Sequence, residues 1–353
     1  MKEHKSYLDL LRLGAAFCVV LMHTAADGLR YEVGPRPGWL GLAGISSFTF
    51  CAVPLFFMMS GYLMLDGDAD PGTMLKKRIP RLLIPLLCWS LAHVLLDACV
   101  QGSWSVSFFL RAIVGMLQKP ANISFWFLYS LIGMYLITPF LSLILNNAND
   151  RQRHYLLLLL LLLKLPSLIR SLSPALYAAY FNFDLVAGLS FFDGHLCSFL
   201  LGWYIGKAEK RVPGAVLAAA ALVCYGVILF GTVRRSLAQG AYIQDFQYQN
   251  AFLETGLAAA LFALAKRLRL RPEGKAAALL ARLAPHSFCV YLSHALLLRV
   301  YGSLFDAMPL SMPGIVGLAA AVYGIGIGLG ALLCRIPVLR YVALGKRQNR
   351  PTV

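Results

Sequence analysis

Ten apolar windows, each bounded by polar or basic residues, recur along the 353-residue chain. They fall at about 7–26, 45–65, 81–100, 123–145, 154–172, 193–209, 213–232, 251–265, 279–300 and 312–334. A helix needs about 20 predominantly apolar residues to cross a bilayer. The pattern therefore predicts an all-α polytopic bundle of about ten transmembrane helices. The eighth window is short and the sixth contains polar residues, so nine to eleven crossings bracket the count. WSVSFFLRAIVGML (104–117) is interrupted by Arg111 and reads as an interfacial helix on the outer surface, with a further crossing as the alternative. No soluble domain stands between the windows. One membrane domain is expected over 1–340, followed by a basic cytoplasmic tail over 341–353.

Composition sharpens this picture. The chain is 59% hydrophobic and 14% charged, with mean hydropathy +0.68, too apolar for a soluble domain. No small-residue cleavage site closes the first apolar run, so that run is expected to remain as a helix rather than a signal peptide. A net charge of +16 would suggest nucleic acid in a soluble protein. In a membrane chain, Lys and Arg gather in cytoplasmic loops, so the expected partners are membrane lipids and not nucleic acid. With ten crossings and a cytoplasmic N-terminus, most of the 32 basic residues fall on the cytoplasmic side. That asymmetry favours an even helix count with both termini inside. The eight cysteines are scattered and form no Cys-x-x-Cys pair, which suits small core residues. No His-x-x-x-His or Glu-x-x-His pair occurs, so no metal site is expected.

Chemistry begins where ionisable residues enter the apolar windows. LDLLRLGAAFCVVLMHTAAD (8–27) carries Arg12 and His23, eleven positions apart. At about 100° per residue they share one helix face, separated by a rise of about 16 Å. Asp9 lies three positions before Arg12 and Asp27 four after His23, so each can reach its neighbour. An Arg near a helix end commonly snorkels to the headgroups, and a lone His may be satisfied by another helix. For His23, intramembrane burial of an ionisable group favours a cavity-lining role. Further ionisable residues recur at outer-half positions: His93 and Asp97, Asp193 and His195, Glu254, and His294. Together they predict a polar, acceptor-side cavity. On the cytoplasmic side KKRIPR (76–81) forms a basic cluster near Ser60–Gly61, suited either to positive-inside charge or to the phosphates of an anionic ligand. The aromatic loops YAAYFNFD (177–184) and YIQDFQYQN (242–250) read as an interfacial belt or an acceptor platform, and the Leu run at 156–164 as a lipid-facing stretch without chemistry. Spacing alone yields a membrane cavity with a candidate base, and no reaction.

The stretch YLDLLRLGAAFCVVLMHT (7–24) resembles the opening of the membrane-bound acyltransferase family 3, whose first helix carries Arg, ten residues, then His. VPLFFMMSGYLML (53–65), KKRIPRLLIPLLCWS (76–90), FWFLYSLIGMYLITPFL (125–141) and APHSFCVYLSHALLL (284–298) resemble later stretches of that family in the same order. Many members carry His two positions before the tryptophan of the fourth stretch, where this chain has Ser124. Some members also carry a fused extracellular hydrolase-like domain; here any hand-off to such a domain is expected in trans, or not at all.

The resemblance implies transfer of an acyl group, usually acetyl from acetyl-CoA, to a hydroxyl of a cell-surface glycan or lipid-linked sugar in the bacterial inner membrane. Acetyl-CoA would be a donor substrate, with no tightly bound cofactor. Its phosphates would sit on Lys77, Arg78 and Arg81, with Arg12 at the cytoplasmic mouth. His23 would act as general base, oriented by Asp27. Ser60 would line the thioester path or permit close helix packing. A proton-coupled transporter or flippase stays open as the alternative, because a carrier also needs a polar cavity between helices.

Overall fold

Prolines, glycines and short polar side chains punctuate the chain, and the helices begin and end on them. The computed structural model describes residues 5–31, 33–65, 67, 69–180, 195–209, 212–248, 251–268, 274–305 and 311–345. In chain order the helices are α1 (Ser6–Arg30), α2 (Pro37–Thr49), α3 (Ala52–Met64), α4 (Pro80–Gln101) and α5 (Val106–Gln118). Next come α6 (Trp126–Asn147), α7 (Asp150–Leu163), α8 (Leu165–Leu172), α9 (Leu196–Lys207) and α10 (Gly214–Gln239). The last are α11 (Phe252–Arg267), α12 (Lys275–Leu283), α13 (Ser287–Phe305), α14 (Met312–Leu333) and α15 (Pro337–Leu344). Asn149 and Gln152 form a capping box that starts α7, each side chain bonding the other's backbone N–H at 2.9 Å. Gly102, Gly240 and Gly345 close α4, α10 and α15 in the left-handed conformation that glycine adopts at least cost.

Among the described residues there is no strand, and eight helical stretches are long and apolar enough to cross a membrane. They are Ser6–Arg30, Pro37–Met64, Pro71–Gln101, Ile123–Asn147, Asp150–Leu172, Gly214–Gln239, Lys275–Phe305 and Met312–Leu333. Eight of the ten windows read from the sequence thus coincide with such stretches. The other two coincide with α9 and α11, which have 12 and 16 residues. The 104–117 segment forms α5, whose 13 residues rise about 20 Å, short of the hydrocarbon thickness. The fold is a multi-pass helical membrane protein.

The helices gather into two compact units. The first comprises Met1–Asp68, Phe140–Ala284 and Met308–Ala320. Its tightest contact joins α3 and α9, and glycine makes it possible. A Cβ at Gly61 would stand 1.8 Å from the carbonyl oxygen of Phe199, and one at Gly202 would stand 2.1 Å from that of Met58. At Gly206 it would meet the Tyr62 ring at 2.1 Å. Lipid tails remove the hydrophobic drive for helix association, so close van der Waals contact between small residues has to supply it. Around this pair α11 packs on α3, α9 and α10, and α1 packs on α2, α3, α11 and α12. The Trp39 indole N–H donates to the Leu29 carbonyl at 3.1 Å and fastens the start of α2 to the end of α1.

The second unit comprises Ala69–Pro139, Pro285–Ala307 and Ala321–Val353. Its centre is α4, against which α5, α13 and α15 pack. Pro80 cannot donate a backbone hydrogen bond, and in an α-helix its ring would press on the carbonyl four residues earlier. The chain answers with a π-helical segment, Met74–Arg78, closed by the Ile79 N–H on the Met74 carbonyl at 2.9 Å. Such wide turns inside helices occur frequently at functional sites.

The α3–α9 contact is testable by thermal unfolding in detergent. Gly61→Ala overpacks it, at a cost of about 1–3 kcal/mol, and should lower the Tm by about 5 °C. Gly14→Ala and Gly226→Ala, where an added Cβ meets nothing within 4 Å, should leave the Tm unchanged or slightly raised.

Candidate active site

The candidate residues divide between the two units. The first holds Arg12, His23, Asp27, Ser60, His195 and Glu254; the second holds Lys77, Arg78, Arg81, His93, Asp97 and His294. Asp193 lies outside the described residues, as does the basic tail from Lys346 onward.

On α1, Arg12 forms an ion pair with Asp9 at 3.7 Å, as the three-residue spacing predicts. Asp9 is buried, so the pair keeps a carboxylate inside the bundle beside a cation. His23 is half-buried, two turns of helix beyond Ala16, while Asp27 is exposed. Ser60 belongs to the sequence SGY, and the structure gives its neighbours packing duties. Gly61 admits the Phe199 backbone, and the Tyr62 hydroxyl accepts a hydrogen bond from Lys5.

In the first unit too, His195 stands just before the start of α9 and stacks on Phe57, ring centroids 4.2 Å apart and planes within 5°. Lys164 lies within electrostatic reach of it and is fully buried. The Leu run ending at Lys164 reads from the sequence as a stretch without chemistry; its terminal cation is in fact enclosed at the joint between α7 and α8. A cation that closes a long apolar run is the available signal, since hydrocarbon does not tolerate one facing lipid. Glu254, in the first turn of α11, is also fully buried. Neither of its carboxylate oxygens meets a hydrogen-bond partner among the described residues.

The loop read as an aromatic platform fastens helices together. Gln247, 2% exposed, donates to the Ser47 hydroxyl at 2.9 Å and accepts from the Tyr242 hydroxyl, which also bonds Ser46 at 2.9 Å. Arg235 pairs with Asp245, and the Asp245 carbonyl accepts from Ser171 at 2.8 Å. Burial pushes the Tyr242 phenol above its ordinary range. Only Tyr248 of this group presents its ring outward.

In the second unit, His93 is buried on α4 and meets the Phe125 ring edge-on, centroids 5.3 Å apart. One turn on, Asp97 pairs with Arg299 of α13. The Tyr291 hydroxyl donates to the Ser124 carbonyl, and the Tyr291 carbonyl meets Nδ1 of the buried His294 at 2.6 Å. His93, Ser124, Tyr291 and His294 are thus linked through neighbouring contacts. Ser124 is buried and bonded through its backbone, its N–H donating to the Asn122 side chain at 2.9 Å. Arg299 and Tyr291 are the structure's additions to the set; the pairing of Asp97 with Arg299 leaves no local sequence signal, because the two residues lie about two hundred positions apart in the chain.

At the other end of α4 the π-helical segment presents a cationic turn. Lys76 and Lys77 are exposed, Arg78 and Arg81 half-buried. Among the described residues no carboxylate pairs with Lys77, Arg78 or Arg81. Cations without a partner acid suit a polyanion, and the two guanidinium groups suit bidentate phosphate contacts. Asp70 anchors the approach to this turn: its Oδ2 accepts from the Thr73 N–H at 2.6 Å.

Against this geometry, the model of the acyltransferase domain matches residues 5–334, nearly the whole chain. The chain belongs to the acyltransferase 3 family. The protein is therefore an acyltransferase, and the match favours transfer chemistry over the carrier reading. Comparison with curated proteins and with solved structures yields no match. Among the described residues of the acyltransferase, no group of three or more His, Cys, Asp or Glu side chains is placed to hold a metal ion.

The Asp70 cap gives a pH-dependent prediction. The Thr73 N–H holds the Asp70 carboxyl below its ordinary value of 3.8. Its stabilisation of the turn is complete above that pH and is lost as pH falls through the depressed value. Hydrogen exchange over 70–79 should quicken in Asp70→Ala at neutral pH and stay near native in Asp70→Asn, because Asn also caps well.

Proposed function

We propose that this acyltransferase moves an acyl group, acetyl in the simplest case, from acyl-CoA on the cytoplasmic side to a hydroxyl of a cell-surface glycan or lipid-linked sugar. The observation that carries the reading is the imidazole of His23 on α1, half-buried within a membrane-crossing helix of an acyltransferase 3 domain. Such a group is costly in hydrocarbon unless it lines a polar site, and imidazole is the side chain suited to proton transfer near neutral pH.

In the proposed reaction His23 takes the proton of the acceptor hydroxyl as its oxygen attacks the thioester carbonyl. The carbon–oxygen bond forms, the carbon–sulfur bond breaks, and the departing CoA thiolate receives the proton from the imidazolium. Lys77, Arg78 and Arg81 bind the phosphates of CoA, and Arg12 marks the inner end of the path along α1. Asp27 orients the imidazole, and Ser60 allows close packing beside the path, consistent with its neighbour Gly61. His93, Asp97, Asp193, His195, Glu254 and His294 serve the acceptor side.

The topology we propose has ten crossings. The short helices α9 and α11 join the eight long stretches, and both termini are cytoplasmic in a bacterial inner membrane. The asymmetry of basic residues supports this arrangement, and it makes residues 1–340 one functional membrane domain with a basic tail at 341–353.

Purified protein in nanodiscs, given acetyl-CoA labelled in the acetyl group, provides the test. Release or transfer of the acetyl group should fall at least about 100-fold in His23→Ala, the scale of a lost general base, with CoA binding retained. Undiminished turnover in His23→Ala would remove the imidazole from the reaction.

A further inference from the structure

The family-matched residues stop at 334, yet another helix follows. This helix, α15, packs on α4 and α13 within the second unit. A backbone contact joins it to the cationic turn, and it carries a cation without a partner acid.

The first is a backbone contact. Pro85 lies inside α4 and has no N–H to offer the carbonyl four residues before it, which belongs to Arg81. That carbonyl is therefore available outside its own helix. Gly345, the left-handed residue closing α15, sits directly against it: a Cβ there would stand 2.2 Å from the Arg81 oxygen. Only glycine satisfies both the close approach and the backbone angle of +61°.

The second is a cation. Arg340 lies on α15, five residues before Gly345, and its Nε is closed off from solvent with no hydrogen-bond partner among the described residues. No carboxylate pairs with it among those residues. A guanidinium nitrogen held out of water without an acceptor is costly, and a bound anion would supply the missing acceptor. Arg81, in the first turn of α4 where Gly345 is seated, and Lys77 and Arg78, in the π-helical segment just before it, are likewise without a carboxylate partner among the described residues.

We propose that α15 completes the phosphate-binding site at the cationic turn, with Gly345 locking the helix onto the Arg81 carbonyl and Arg340 adding a further cation for the donor's phosphates. The ligand class is a phosphate-bearing donor, and the inference rests on the acyl-CoA reading above. It also gives Pro85 a purpose: by freeing one carbonyl in α4 it creates the seat for a helix outside the family domain.

The test titrates coenzyme A into the full-length protein in nanodiscs by calorimetry and reads hydrogen exchange of 337–345 without ligand. Arg340→Gln should weaken CoA binding about tenfold, the scale of one charge-assisted contact, with exchange over 337–345 unchanged. Gly345→Ala should weaken binding similarly and quicken that exchange, because the helix loses its seat. Undiminished CoA binding in Arg340→Gln, or unchanged exchange in Gly345→Ala, overturns the proposal. If binding is lost in Arg81→Gln but survives in both α15 variants, the donor reading stands and α15 has no part in it. If the unsubstituted protein binds no CoA, the donor reading fails and carries this inference with it.

Discussion

The backbone-to-backbone contact of α3 with α9 is the constraint on which the first unit depends. Helices in a bilayer gain nothing from burying apolar surface, because lipid offers the same surroundings. What holds them is contact close enough for dispersion and for polar groups to find one another. Gly61, Gly202 and Gly206 remove the side chains that would keep the two helices apart. With that distance fixed, Phe57 on α3 meets the His195 ring at the head of α9, and Tyr62 reaches Lys5 before the start of α1. His195 is held against Phe57 because the two helices carrying these rings are drawn together at glycine.

Polar enclosure is the second theme. Lys164 and Glu254 are fully buried, and His195 leans on an aromatic ring. α2, α8 and the loop after α10 are joined through Ser46, Ser47, Ser171, Tyr242, Asp245 and Gln247. In the second unit the same economy appears at α4, where Asp97 pairs with Arg299 and His93 lies against Phe125. Lys77, Arg78 and Arg81 are the exception: no carboxylate among the described residues pairs with them. A site left positively charged is suited to a ligand that brings its own negative charge.

Much of this was legible in the sequence. The apolar windows located the long helices, because hydrocarbon thickness sets a minimum length that hydropathy reveals directly. The Asp9–Arg12 pair followed from helical spacing. Other features were not legible, each for a physical reason. Pro80 marks a disturbed helix, but whether the chain kinks, breaks or widens depends on packing, and it widened into a π-helical turn. Lys164 ended a leucine run whose monotony suggested lipid, and only the tertiary fold shows the cation turned inward. The loop at 242–250 offered aromatics and amides suited to either surface or core; Gln247 and Tyr242 are bonded to α2, a pairing about two hundred residues apart in the chain. Long-range contacts of that kind leave no local periodicity to read.

The proposal at the centre is that donor and acceptor are handled on opposite sides: the cationic turn would receive CoA from the cytoplasm, and His23 would serve a hydroxyl in the outer half of the membrane. Sealed vesicles of known protein orientation test it most directly, with labelled acetyl-CoA supplied on one face and labelled product collected from the other. The account predicts acetylated acceptor on the outer face only when acetyl-CoA is on the cytoplasmic face. Equal product with the donor confined to the outer face would contradict it.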